Sequence, residues 1–214
     1  MPRRRTRKEQ QAHTRSCLMK SAAKVFSRRG LQQASIDDVA EDAGFTKGAF
    51  YANFKSKEEL FLAMLDERFA RRIEEIDRAA RDHDAPEEQA RRAGQDFGRY
   101  IHADPEWQRL FFEFTAHAAR NDEFRQELVT RYRALRERIA AVYERRAHEL
   151  GLELPVPFEQ VALMTVAMAN GVALERLLDG DAVPDDLFGT MMLVFFTGLR
   201  ALASDGTPVG AARG

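Results

Sequence analysis

The sequence has one cysteine, few residues that break regular structure and no long apolar run. A single cysteine among 214 residues cannot form an internal disulfide, so the composition gives no indication of secretion. The first ten residues are basic and no apolar stretch follows them, so a signal peptide is not expected. No uninterrupted apolar segment approaches the roughly 20 residues of a membrane span. These absences predict a soluble cytoplasmic protein that has no membrane partner.

Motifs for catalysis and for metal or cofactor binding are also missing. The five histidines show no i, i+4 pairing with one another and the single cysteine has no C-x-x-C context, which argues against a zinc site. No phosphate-binding glycine loop, dinucleotide fingerprint or nucleophile elbow is found. We therefore predict no catalytic residues, no metal and no cofactor, and expect a protein that is not an enzyme.

Charge is divided unevenly along the chain, although the formal net charge is only -1. Residues 1–57 carry 13 Lys/Arg and 5 Asp/Glu, a net of +8, and residues 58–214 carry 20 and 29, a net of -9. A basic head on an acidic body is typical of a polyanion-binding segment joined to a second activity. A basic face that is merely solvated is the alternative at this point.

Helical signals occur along almost the whole chain, and no segment shows the sustained period-two alternation of a strand. Ser35 with Asp38, and Ser56 with Glu59, have the spacing of capping boxes. The fold class expected is all-α. The predicted helices cover residues 8–29 (ending at Gly30), 36–43, 46–54, 56–82, 87–103, 105–120, 122–150, 157–178 and 185–202.

Two short predicted helices meet at Gly44 and have the pattern of a helix-turn-helix. Phe50 and Phe54 are four residues apart and should face inward together. Residues expected to face outward on the second helix are Thr46, Lys47, Gly48, Tyr51 and Asn53. The small side chains at Gly48 and Ala49 allow close approach to a groove, and the polar ones can bond phosphates or base edges.

The stretch from Ser35 to Phe61 resembles the DNA-binding signature of TetR-family transcriptional regulators. The resemblance implies an all-helical homodimer, with a small N-terminal DNA-binding domain and a larger C-terminal domain for ligand binding and dimerisation. It also implies a palindromic DNA operator and a small-molecule effector that releases the protein. Most members are repressors. Activation, or the lack of any inducer, stays open.

The resemblance assigns DNA contacts to Thr46, Lys47, Gly48 and Tyr51. It makes Ser35 a helix cap beside a phosphate, and it brings Lys57 close to a phosphate. Many members carry His and then an aromatic residue where this chain has Ala52 and Asn53, a familiar variant for which base preference stays open. The helix that starts at Ser56 would couple ligand binding to the spacing of the two DNA-reading heads.

Basic residues at the N-terminus resemble the arms that some members lay along the minor groove; they are Arg3, Arg4, Arg5 and Arg7. Of these, Arg5 and Arg7 are our candidate DNA contacts. A disordered tail with only non-specific affinity is the alternative.

The acidic body contains two helices, 157–178 and 185–202, that are apolar on more than one side. Such helices need burial on two sides, so we expect one side of each to form a homodimer interface; central core helices are the alternative. These features predict three segments: a DNA-binding domain over 1–57, a ligand-binding and dimerisation domain over 58–203, and a disordered tail over 204–214.

A cluster of aromatic residues with a few polar groups suggests a largely apolar ligand pocket. The candidate lining residues are Trp107, Phe111, Phe114, His117, Tyr132, Met164, Met168 and Asn170. Aromatic and methionine stripes at helical spacing are more often plain core, and this interpretation stays open.

Two hypotheses remain. The first is a ligand-responsive dimeric repressor of the kind just described. The second is a helical small-molecule-binding protein or enzyme whose basic head binds polyanions without sequence choice. A specific operator complex survives excess non-specific DNA, whereas a merely basic head does not discriminate.

Overall fold

The computed structural model describes residues 6–81 and 86–204, and all regular structure in these ranges is helical. The helices are α1 (Arg7–Gln33), α2 (Ile36–Asp42), α3 (Lys47–Tyr51), α4 (Lys57–Arg81), α5 (Pro86–Ala103), α6 (Pro105–Ala118), α7 (Asp122–Glu149), α8 (Phe158–Leu178) and α9 (Leu187–Ser204), with a 3-10 turn at Gly180–Ala182. The all-α fold class predicted from the sequence is confirmed. The segment predicted as a disordered tail lies outside the described residues beyond Ser204.

Local capping explains why the short N-terminal helices begin where they do. The Ser35 hydroxyl accepts from the Asp38 amide and the Asp38 carboxylate accepts from the Ser35 amide, so the predicted capping box is present. The second predicted box is only half formed. Ser56 caps the Glu59 amide, but the Glu59 carboxylate accepts from the Lys55 amide (2.7 Å) because it reaches past Ser56.

The predicted stop at Gly30 is a kink. Gly30 has a φ of 73°, and α1 continues for three more residues to Gln33. The amide of Leu31 after the kink donates to Glu113 Oε1 on α6 (2.7 Å), which leaves little room at Gly30: an added Cβ would lie 3.1 Å from that oxygen. A tertiary contact thus fixes the end of α1.

The chain divides into two compact units. The first comprises Met1–Arg68 with Glu106–Val129, and the second comprises Phe69–Pro105 with Thr130–Gly214. This division by packing differs from the division by charge at residue 57, because α6 and the start of α7 pack with the N-terminal helices. The boundary at residue 57 between a DNA-binding and a ligand-binding domain therefore stays a prediction.

An aromatic stack forms the centre of the first unit. The Phe61 ring on α4 lies 3.8 Å from the Phe114 ring on α6, centre to centre, and 5.4 Å from the Trp107 ring. Phe26 from α1 packs edge-on against Phe114. Burying these rings removes a large apolar area from water, which stabilises the three helices against one another.

In the second unit, α4, α7 and α8 share one apolar cluster made by Ile73, Leu135, Ile139, Ala140 and Ala162. Helices α5 and α9 pack very closely, since a Cβ added at Gly94 would lie 2.5 Å from the Gly189 Cα. Phe97 and Phe188 pack beside this crossing with their rings 4.2 Å apart. Only glycine permits backbones to approach this closely.

Candidate functional site

The turn between α2 and α3 places α3 on the surface of the first unit. Gly44 has a φ of 73°, a conformation that favours glycine. The Phe45 amide donates back to the Ala40 carbonyl (2.8 Å), and the Thr46 hydroxyl caps α3 by accepting from the Ala49 amide (3.2 Å). Phe50 and Phe54 are buried, as their spacing predicts. This is helix-turn-helix geometry, with one face of α3 anchored and the other free.

The outward face of α3 carries four of the residues predicted to contact DNA. Thr46, Lys47 and Gly48 are exposed, and Ala49 beside them is half-buried. Tyr51 is 51% exposed, although its ring packs edge-on against Phe50. A large aromatic side chain left in solvent at this position has a hydroxyl available to a phosphate or a base.

Lys47 forms an exposed ion pair with an acidic residue of α2. Its ammonium donates to Asp37 Oδ2 on α2 (2.8 Å), and this hydrogen bond, followed by the charge of Asp37, raises the pKa of Lys47. Both side chains are more than half exposed, so the pair is weak and a phosphate can displace the carboxylate. The geometry thus orients the lysine without burying it.

Asn53 does not face outward as predicted. Its side-chain amide donates to the Ala49 carbonyl (2.8 Å), and its Oδ1 is buried without a hydrogen-bond partner. The Asn53 carbonyl accepts from Arg15 on α1 (3.0 Å), whose guanidinium lies 4.2 Å from the centre of the Phe54 ring. Asn53 thus joins the end of α3 to α1 through Arg15. The sequence contains no signal for this contact of Arg15.

Lys57 is also engaged within the protein. Its ammonium donates to the carbonyls of Leu31 (2.6 Å) and Ala34 (2.9 Å) at the end of α1. Two of the three ammonium donors are used in this way, and the interpretation of Lys57 as a phosphate contact stays a prediction. Ser35 is exposed, but its hydroxyl serves the capping box.

The predicted basic arm is only partly described. Arg7 is the first residue of α1, capped by Thr6, and is therefore helical. Arg3, Arg4 and Arg5 lie outside the described residues.

The aromatic residues predicted to line a pocket on α6 are core residues of the first unit. Trp107, Phe111 and Phe114 are all buried, and the Arg68 guanidinium covers the Trp107 ring at 4.1 Å. His117 Nε2 lies 3.3 Å from Glu58 Oε1 on α4. Packing within the unit accounts for the three buried rings, whereas His117 is half-buried and its buried Nε2 has no hydrogen-bond partner.

The other four candidate pocket residues belong to the second unit. Tyr132 shares a side-chain hydrogen bond with Asn170, and burial raises the pKa of its hydroxyl. Met164 is 40% exposed and Met168 is half-buried. The eight predicted residues are therefore divided between two compact units.

A partly open cavity of about 180 Å³ lies in the second unit, and none of the eight residues lines it. Its apolar wall comes mainly from one face of α9, at Phe188, Met192, Phe196 and Leu199. Alanines on facing helices leave the space; they include Ala79, Ala80, Ala93 and Ala147. Small residues give no sequence signal for a pocket, so the sequence does not predict this cavity.

Polar groups reach this cavity at a few points. Arg72 and Glu75 from α4 pair with each other at 3.1 Å. The Tyr143 hydroxyl donates to Thr165 Oγ1 (3.3 Å), and burial raises the pKa of Tyr143. Arg146 lines it from α7, Gln89 and Asp96 line it from α5, and Arg200 lines it from α9. An apolar cavity with a few polar anchors is the usual form of a small-molecule site.

Helices α8 and α9 each present apolar side chains to solvent within this chain. Leu163, Leu174 and Leu178 are exposed on α8, and Val194 is 68% exposed on α9. By length and composition alone, α8 is the one described helix that could cross a membrane, with a mean hydropathy of 1.5 and 33% of that window buried. Core helices of soluble proteins share this property.

No group of three His, Cys, Asp or Glu side chains that could hold a metal ion occurs among residues 6–81 and 86–204.

Comparisons with known proteins agree with this architecture. Residues 18–64 match the family model described as bacterial regulatory proteins, tetR family, and residues 86–193 match the model described as BetI-type transcriptional repressor, C-terminal. The first match covers the helix-turn-helix, and the second covers α5 to α8 and the start of α9.

Similar proteins are transcriptional regulators. An uncharacterised HTH-type regulator of Bacillus subtilis, YfiR, is 25% identical over 178 residues, 79% of this chain and 83% of the relative. TtgR of Pseudomonas putida is 43% identical over 63 residues, 29% of this chain and 30% of the relative.

Solved structures share the fold. Salmonella enterica GusR superposes with a TM-score of 0.72 at 20% identity, covering 88% of this chain and 96% of that one. FadR from Bacillus subtilis, in complex with stearoyl-CoA, has a TM-score of 0.69 at 14% identity, covering 84% and 96%. Together with the two family models, these likenesses identify the chain as a member of the TetR family of transcriptional regulators.

Proposed function

We propose that this regulator is a dimeric repressor that binds a palindromic operator and is released by a small molecule. The observation that carries the proposal is the exposed face of α3, with Thr46, Lys47, Gly48 and Tyr51 presented by an anchored helix-turn-helix. It works in the cytoplasm as a DNA-binding protein and not as an enzyme. The C-terminal match to a repressor model favours repression.

Binding to DNA follows from the charges and donors on this face. Lys47 exchanges Asp37 for a phosphate, and Tyr51 reaches a phosphate or base edge from the middle of the exposed surface. Each phosphate neutralised by a lysine releases counterions, so affinity falls as salt rises.

A homodimer supplies the second half of the operator contact. The exposed leucines of α8 and Val194 of α9 form an apolar surface that a second copy can bury through a two-fold axis. A two-fold dimer can present its two α3 helices about one DNA turn apart, roughly 34–36 Å, which a palindrome matches.

Release by an effector follows from the position of the cavity. Helix α4 contributes Lys57–Arg68 to the first unit, and its later residues, including Arg72 and Ile76, line the cavity of the second. A ligand that moves these residues displaces one rigid helix, and the operator complex is weakened as the two heads lose their spacing.

The test is selection of DNA from a random double-stranded pool by the full-length protein. A palindromic consensus is expected for the wild type. Tyr51→Ala should lose the enrichment while remaining dimeric by light scattering, and Arg133→Ala on α7, exposed and remote from α3 in sequence, serves as the matched control. Enrichment of unrelated sequences, or of none, contradicts the proposal.

A further inference from the structure

Two arginines that line the cavity have carboxylate partners within the protein. Arg72 on α4 pairs with Glu75, which also lines the cavity, at 3.1 Å. Arg146 on α7 pairs with Glu149 at 3.2 Å. Both arginine side chains are only 17% exposed, so an anionic ligand would compete with a carboxylate that is already in place. Neither arginine therefore gives the wall a free positive charge.

The other charged and amide groups of the lining are engaged as well. Asp96 on α5 pairs with Arg99, three residues later. Arg200 on α9 and Gln89 on α5 each have an interaction of their own within the protein. An anion or a cation that entered the cavity would lose hydration and would meet ion pairs instead of a free counter-charge. The lining therefore favours a neutral ligand.

The two hydroxyl groups of the lining use their protons within the protein. The Tyr143 hydroxyl donates to Thr165 Oγ1 at 3.3 Å, and Thr165 Oγ1 donates to the Val161 carbonyl at 3.0 Å. Burial raises the pKa of Tyr143, which keeps its hydroxyl protonated. Since both protons are used, a ligand gains its binding free energy mainly from apolar contact.

The apolar part of the wall limits the size of such a ligand. Phe188, Met192, Phe196 and Leu199 follow one face of α9, and the cavity volume is about 180 Å³. An engineered apolar cavity of roughly 150 Å³ holds benzene. The rings of Phe188 and Phe196 and the Met192 sulfur make favourable contacts with an aromatic ring. The body that fits is one ring with a short side chain.

We propose that the cavity binds a neutral, compact apolar molecule the size of a single substituted ring, and that it discriminates against charged molecules of the same size. Its hydrocarbon body packs against α9, and the ion pairs of the wall stay intact. That this binding releases DNA rests on the function proposed above, whereas the binding itself does not.

Calorimetric titration of the full-length protein at neutral pH and without DNA tests the ligand class. The probes are ethylbenzene, phenylacetate and phenethylammonium, which share a ring and a two-carbon side chain and differ in charge. Ethylbenzene should bind at least tenfold more tightly than either ion, because each ion loses hydration without gaining a free counter-charge. Equal or tighter binding of either ion, or no binding of ethylbenzene, overturns the proposal.

Filling the cavity tests the location of the site. Ala147 on α7 lines the cavity and is buried, so Ala147→Leu adds three carbon atoms to the wall and should weaken ethylbenzene binding at least tenfold. Ala134→Leu, at an exposed position of the same helix, is the matched control and should change nothing. If Ala147→Leu fails to fold, Ala79→Leu fills the cavity from α4, where Ala79 is half-buried. Unchanged ethylbenzene affinity in a folded, filled variant contradicts the assignment.

The two proposals fail separately. Titration without DNA reports the cavity, and DNA selection without ligand reports the operator. Operator binding with no ethylbenzene binding removes this inference only, and ethylbenzene binding with no operator removes the proposed function only.

Discussion

Replacing Lys57 by methionine separates a folding role from a DNA-binding role. The Lys57 ammonium bonds the Leu31 and Ala34 carbonyls at 2.6 and 2.9 Å in a partly buried site. Hydrogen bonds to charged groups contribute about 1.5–3 kcal/mol each, and water can replace part of this. We therefore expect Lys57→Met to lower the free energy of unfolding by about 2 kcal/mol. For a chain of this size such a loss lowers the Tm by roughly 4–8 °C.

The assay compares Lys57→Met with Lys47→Met in urea unfolding and in operator binding as a function of salt. Lys47→Met should leave the unfolding midpoint almost unchanged because its pair with Asp37 is exposed. It should weaken operator binding and reduce the salt slope by about 0.9, as the loss of one phosphate contact does. Lys57→Met should lower the midpoint and keep the slope. A stable Lys57→Met protein with a reduced slope would refute the reasoning.

Further substitutions test other contacts. Gly94→Ala forces a Cβ to within 2.5 Å of Gly189 and should cost about 1–3 kcal/mol in urea unfolding. Ser35→Ala removes a helix cap and should cost about 1 kcal/mol in the same assay. The backbone amide of Ser35, and then its hydroxyl, hold the pKa of Asp38 below its ordinary 3.8. The ionised Asp38 carboxylate therefore adds to the free energy of unfolding above pH 3.8, and this contribution is lost as the pH falls through the lowered pKa. The difference in urea midpoint between wild type and Asp38→Asn should vanish over the same pH range. If α9 forms the proposed dimer interface, Val194→Glu should give a monomer in light scattering because it places a charge on that apolar surface.

Local signals predicted the helices well. Capping residues such as Ser35 and Thr46 act on amides three residues away, so the sequence contains the whole interaction. The inward pair Phe50 and Phe54 follows from helical spacing alone. The same spacing predicts the exposed face of α3, because positions other than those of Phe50 and Phe54 face away from the core.

Contacts between distant residues could not be read from the sequence. Lys57 reaches carbonyls 23 and 26 residues earlier, and Glu113 reaches an amide 82 residues earlier. Periodicity reports which face of a helix is buried but not which partner buries it. For this reason the sequence leaves open whether the aromatic residues of α6 line a pocket or form core, and the structure shows Phe114 packed with Phe61.

The cavity could not be predicted from the sequence either. It exists because alanines on several helices leave space opposite α9, and alanine is so common in helices that its presence does not indicate a cavity. Arg146 resembles the other arginines of α7 in sequence, and its place in the wall of the cavity becomes visible only in the structure.

The most direct test of the central claim is a gel shift with the DNA upstream of the protein's own gene, at near-physiological salt and with excess competitor DNA. A sequence-specific repressor that regulates its own gene gives a discrete complex of dimer size that survives the competitor. A complex that the competitor removes in proportion to its excess would contradict the account and favour a basic head that binds polyanions without sequence choice.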